Sequence, residues 1–133
     1  MSSIQRFIEK ISQQQDSILD EIENASQKTG HWIWWAFPQQ VPLELWGHVS
    51  TTTRHYSTTM EEVAMLVNDP LFSTFYRKAI QLLLTKKSLR LFFGPDIMKF
   101  KSHLVLFNLV CNTVNETSLT VAINTLLEKI DTK

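Results

Sequence analysis

Apolar residues return every three or four positions along most of this chain, the spacing of helices packed by one face. Ile4, Phe7, Ile8 and Ile11 form one such group, and Ile18, Leu19 and Ile22 form a second. The polar run Gln13-Gln14-Gln15-Asp16 separates them and puts the stripe out of phase, which predicts one bent helix or two, stopped before Gly30. Ser50 to Thr58 suits a short helix. Thr59-Met60-Glu61-Glu62 has the form of a capping box, in which the Thr59 hydroxyl and the Glu62 carboxylate close each other's free amides. The helix it opens ends before Pro70, whose ring drives Asp69 out of helical geometry. Leu71 to Thr85 is predicted as a helix apolar on most faces, and Ser88 as the cap of a single turn, Leu89 to Phe93, halted by Gly94-Pro95. Asp96 then caps a helix from Ile97 to about Cys111. Its apolar positions leave so little polar face that it is the predicted central, buried helix. Asn112 to Ser118 is predicted as loop, and Leu119 to Ile130 as a last amphipathic helix.

Residues 31–46 break the rhythm. They carry Pro38 and Pro42 and no helical period, and the stretch GHWIWWAFPQ at 30–39 holds three of the four tryptophans. Such chain is predicted to be extended or irregular, yet it is too aromatic to lie in water. Neighbouring side chains of extended backbone point to opposite sides, so Trp32 and Trp34 are expected to share a side and Trp35 to take the other. No stretch alternates with period two. The predicted fold class is therefore all-α: a compact multi-helical single domain spanning 1–133, of about five to seven helices, with an irregular aromatic segment at 31–46. A chain of 133 residues is long enough for one such core.

Composition narrows the function classes. No apolar run approaches the ~20 residues of a membrane span, and the start, MSSIQRFIEK, lacks the pattern of a secretory signal. The single cysteine, Cys111, has no internal partner, which fits a reducing compartment and a cytoplasmic location, or the cytosol of another cell reached by export. Without secretion, the Asn115-Glu116-Thr117 acceptor tripeptide carries no weight. Thirteen basic and thirteen acidic residues cancel, so no net field draws in nucleic acid. Charge is unevenly spread: residues 77–101 hold seven bases against Asp96 alone. Within that segment Lys86, Lys87 and Arg90 form a basic patch, either a solvated helix surface or a face for an anionic ligand or an acidic partner.

The candidate chemistry is sparse. His31, His48, His55 and His103 are scattered without metal-ligand spacing, no glycine-rich phosphate loop is present, and no cofactor or metal is expected. Ser50 with His55, or Ser102 with His103, lacks a group to orient the imidazole. Two polar groupings remain. Ser50, Arg54 and Tyr56 share a short segment, and Asp96, Lys99 and Ser102 recur at helical steps. With His31, Trp32, Trp34, Trp35 and Gln39 they form either a polar network that locks the aromatic segment in place or the wall of a site. That site would suit a planar or phosphorylated ligand held by Arg54 and Lys99.

In order and spacing, these segments resemble family 1810 of the domains of unknown function, known from bacteria and fungi. The resemblance rests on Arg6-Phe7, on His31-Trp32-Ile33-Trp34-Trp35-Ala36-Phe37-Pro38-Gln39, and on Ser50 with Arg54 and Tyr56. It continues with Glu62 to Pro70 and with Phe93-Gly94, Asp96, Lys99, Ser102 and Leu106-Phe107. It implies a compact helical domain and brings no established reaction with it. The chain departs from the family pattern at several places: Glu9-Lys10 replaces Ala-Gln, Thr53 an alanine, Asp69 a histidine, Phe75-Tyr76 Arg-Leu and His103 a serine, and one residue is missing between Gly94 and Asp96. The expectation is a small non-catalytic binding or regulatory protein that meets a protein partner through a helical surface, with a homodimer compatible. The alternative is the ligand-binding or enzymatic pocket just described.

Overall fold

The structure, a computed structural model, describes residues 4–113 and 117–131, with Leu43 as backbone only. Residues 114–116, with Asn115 and Glu116 of the acceptor tripeptide, lie outside the described residues. The fold is all-α. Helix α1 (Gln5–Asn24) runs unbroken through the polar Gln13–Asp16 stretch, burying Phe7, Ile11, Ile18 and Ile22 as one stripe. Gln14 occupies the inward position between Ile11 and Ile18, where its Oε1 accepts the Trp35 Nε1–H at 3.0 Å. The loss of apolar phase is thus the place where a buried indole finds its acceptor, and the chain forms one helix there, not two.

Short polar residues start the following helices by accepting a free first-turn amide. Ser50 caps α3 (Thr51–Tyr56), Thr59 caps α4 (Met60–Asn68), Asp69 caps α5 (Pro70–Leu84) and Ser88 caps α6 (Leu89–Phe93). Pro70, expected to lie beyond a helix end, is also the first residue of α5, where its fixed φ suits the helix and its missing N–H costs nothing. Gly94, at φ +55°, makes a turn that a side chain would strain, and a 3₁₀ turn over Gly94–Asp96 leads into α7 (Ile97–Thr113). Helix α8 (Thr117–Asp131) closes the described chain and starts two residues before the predicted position.

The aromatic segment is less irregular than its prolines suggest. Ile33–Ala36 forms one α-helical turn, α2, and Leu43–His48 a 3₁₀ turn. Among the described residues this makes eight α-helical segments, two of them single turns, against the five to seven expected.

Helix α7 packs against α4, α6 and α8, while α5 packs against α1, α4 and α8. Their buried side chains form one continuous core that includes Trp32, Ile33, Trp35 and Phe37. Helix α7 is central but not wholly buried: Met98, Val105 and Leu109 are 61%, 47% and 52% exposed.

Phe107 is fully enclosed and its ring lies 4.2 Å from that of His103 and 5.0 Å from that of Tyr76. Phe107→Ala is expected to cost about 3–5 kcal/mol, and Leu106→Ala about 2–5 kcal/mol, through lost contacts and the cavity left behind. Urea unfolding checks both, and a loss under about 0.5 kcal/mol would place the core elsewhere.

Candidate functional site

The helical turn α2 decides where the tryptophans go. Ala36 and Phe37 donate their amides to Trp32 O and Ile33 O at 2.9 and 3.0 Å. Side chains three apart then share a face. Trp32 and Trp35 point inward, 4% and 9% exposed, and Trp34 is half-buried. The expected pairing of Trp32 with Trp34 is overturned, because it assumed extended backbone. His31 is exposed, whereas Gln39 is buried and its backbone carbonyl accepts the Thr58 amide at 2.9 Å.

Trp32 is held by residues outside the predicted site. Glu21 Oε1 accepts its indole N–H at 3.2 Å, and Oε2 accepts the amides of Thr29 and Gly30 at 2.7 and 3.0 Å. Gly30 has no room for a side chain: a Cβ there would meet Trp32 Cδ1 at 2.5 Å. Burial raises the Glu21 carboxyl, but the amides of Gly30 and Thr29, the Trp32 indole and the Lys28 charge together hold it below its usual range. The Lys28 side chain, 4% exposed, donates to Asp96 Oδ2 at 2.7 Å and to Gly30 O, and lies 4.8 Å from the Trp32 ring centre. Asp96 also receives Lys99 at 3.2 Å, the pairing expected from their spacing, and Lys99 sits 5.2 Å from the Trp34 ring centre. Burial raises the Asp96 carboxyl, and its bonds to the two lysines outweigh that and hold it low.

Arg54 belongs to a different network. It donates to Trp46 O at 2.9 Å, to Val49 O at 3.4 Å and to Thr51 Oγ1, tying the 3₁₀ turn to α3. The structure gives Arg54 and Lys99 separate partners and does not gather them over one aromatic wall. Ser50 is the α3 cap, Tyr56 is buried against Trp35 and Phe7, and Ser102 is exposed on the outer side of α7. Arg6 makes the bidentate pair the sequence did not disclose, meeting Glu62 at 2.7 and 2.9 Å and also donating to His55 O and Ser57 O. Thr58 donates to the same carboxylate at 2.9 Å.

His103 and Tyr76 form a second unforeseen pair. Pro38 O can only accept, so His103 Nδ1 donates to it at 2.9 Å, and Nε2 then accepts the Tyr76 hydroxyl at 2.7 Å. Burial lowers His103 to about 3 against the opposing Pro38 bond, and burial followed by the Cys111 thiol pushes Tyr76 well above its ordinary value. Both stay neutral near pH 7.

Much of the basic patch serves helix ends. Lys86 donates to Ala25 O at 3.3 Å, Arg90 to Ile130 O at 3.0 Å and Lys129 to Leu84 O at 3.2 Å. These carbonyls stand at the C-terminal ends of α1, α8 and α5, where orphan acceptors and the negative dipole end favour a cation. Lys86 and Arg90 are thus more than a solvated surface, and Lys87 alone of the three is exposed without such a bond.

Open concavities include one of about 570 Å³ beside Arg6, Trp46 and Met65 and one of about 400 Å³ beside Lys10, Trp35 and Tyr56. Among the described residues no group of three or more histidines, cysteines or carboxylates is placed to hold a metal, and no helix is long and apolar enough to cross a membrane.

Fold and site together define an all-α domain whose aromatic segment is fastened by buried polar pairs. Residues 1–128 match the family model described as protein of unknown function (DUF1810), and the chain belongs to that family. A search of curated proteins finds no match. Among solved structures the fold is similar to that of the conserved hypothetical protein Rv1873 from Mycobacterium tuberculosis, at a TM-score of 0.79 and 24% identity over 96% of this chain and 86% of that one. Tyr76 and His103 meet in the core of this chain, where they bond each other.

Because the unfolded chain protonates His103 first, stability is present above about pH 6.5 and is lost as pH falls toward 3. Urea unfolding is expected to show a loss of about 2 kcal/mol between pH 7 and pH 5 that His103→Gln abolishes. Glu21 and Asp96, both held low, weaken the fold only in stronger acid. The double change Lys86→Gln and Arg90→Gln should cost about 0.6–2 kcal/mol through lost helix-end charge, whereas Lys87→Gln should be neutral, as the same melts at pH 7 will test.

Proposed function

We propose that this protein is a non-catalytic binding protein that engages a helix of a partner protein through the outer face of α7. One observation carries the reading. Met98, Val105 and Leu109 are large, apolar and exposed, and their seven- and four-residue spacing sets them in a single stripe with Ser102 between them. The opposite side of the same helix supplies Phe100, His103, Leu104 and Phe107 to the core, so the stripe sits on a rigid support. A stripe this narrow suits a small, transient interface with an amphipathic helix. The polar residues first considered for a site support the reading indirectly, since Arg54, Asp96 and Lys99 are engaged in holding the fold. Cys111 is buried, and a single cysteine with no second cysteine to pair with fits work in a reducing compartment.

The double variant Val105→Lys and Leu109→Lys should melt within about 0.5 kcal/mol of the parent, because both positions are exposed. A photo-crosslinking side chain at Met98 of the full chain should join one discrete protein in native cells, and the double variant should reduce that product at least tenfold. An undiminished product, or a covalent dimer of the chain alone, would overturn the reading.

A further inference from the structure

Five cations lie over aromatic rings among the described residues: Arg6 on Phe7, Lys10 on Trp35, Lys28 on Trp32, Lys86 on Phe92 and Lys99 on Trp34. In four of the five the cation is also committed to an oxygen. Arg6 has Glu62, Lys28 and Lys99 share Asp96, and Lys86 has Ala25 O. Lys10 has no hydrogen-bond or ion-pair partner among the described residues and is held only by its contact, 4.8 Å from the Trp35 ring centre. A lone cation–π contact on a half-buried lysine is weak, so the Lys10 ammonium is a cover that a better ring can replace.

Beneath it lies the concavity of about 400 Å³, lined by Lys10, Trp35, Thr51, Thr52, His55 and Tyr56. That volume falls in the range of small-ligand sites, roughly 300–1,000 Å³. The floor is rigid. Gln14 fixes the Trp35 indole through its N–H, the Tyr56 ring stands 5.1 Å away at 55°, and Phe7 supports Tyr56 edge-on at 5.8 Å. The rim supplies donors. Thr51 Oγ1 accepts from Arg54, which leaves its own O–H free to donate. The Tyr56 hydroxyl has no partner among the described residues, and burial, opposed by Arg6 and aided by Glu9, raises it so that it stays protonated. An uncommitted ammonium, free hydroxyls and an aromatic floor suit a flat molecule with a negative head.

We propose that this concavity binds a small planar aromatic anion, a carboxylate or a phosphate monoester. Its ring takes the place of the Lys10 ammonium on Trp35, and its charge is then met by that displaced ammonium and the threonine hydroxyls. The site uses Trp35 of the aromatic segment, with Lys10 in the part first considered for Arg54 and Lys99. It is independent of the α7 stripe, so either reading can fail alone.

Titration of the full-length, isotope-labelled protein with 1-naphthoate, 1-naphthyl phosphate, 1-naphthalenemethanol and inorganic phosphate tests it by NMR. The naphthyl anions should shift the Trp35 indole N–H and the amides of Thr51 and Thr52, and the neutral alcohol and inorganic phosphate should bind at least tenfold more weakly. Preference for one naphthyl anion supports the site and identifies its head group. Lys10→Gln should weaken binding at least tenfold, while Lys99→Gln, which removes another lysine over a tryptophan, should leave it within twofold. Shifts absent at millimolar ligand, shifts centred on other residues, equal binding of the alcohol or of inorganic phosphate, or indifference to Lys10→Gln would each overturn the proposal.

Discussion

A buried stretch of non-repeating backbone must find a partner for every amide and carbonyl it removes from water, and this structure depends on how residues 32–41 meet that demand. Pro38 O receives His103, Gln39 O receives the Thr58 amide, and Val41 exchanges its amide with Ser57 Oγ and its carbonyl with the Trp46 indole. With those groups satisfied, Phe37 can sit fully enclosed among Trp32, Tyr76, Phe93, Phe100 and His103. Helices α5 and α7 thereby close on the aromatic segment as well as on each other.

The ionic pairs follow from the same constraint. Carrying Lys28 or Glu62 into the interior is costly, and each is tolerated because its partner and neighbouring oxygens or donors surround it. Such pairs fasten segments distant in sequence: Arg6 reaches 56 residues to Glu62, and Lys28 reaches 68 to Asp96. Removing Arg6 or Asp96 deprives a buried Glu62 or Lys28 of its ionic partner, which destabilises the fold. Arg6, Glu62, Arg54 and Asp96 therefore have a structural task in this chain.

That assignment redistributes the candidate functional surface. Once Arg54 and Lys99 are tied to different parts of the fold, the features left over include an apolar stripe on α7 and a lysine over Trp35 with no oxygen to hold it among the described residues. Both present groups whose interactions are incomplete within the described residues. Groups already satisfied have little free energy left to offer a partner, and incompletely engaged ones can still gain it.

The all-α class, the caps at Thr59 and Ser88 and the helix boundary at Pro70 were determined by the sequence alone, because each depends on residues within a turn or two of one another. The direction of the tryptophans was not, since the α2 turn exists only where its backbone is packed, and no local period marks four residues between a loop and a proline. Nor did the sequence disclose that Gln14 keeps α1 continuous as the acceptor for Trp35, or that Tyr76 and His103 face each other across 27 residues. A helix reports itself through contacts three and four residues apart. The polar pairs that seat the aromatic segment form only when separate helices meet, so tertiary packing alone decided them.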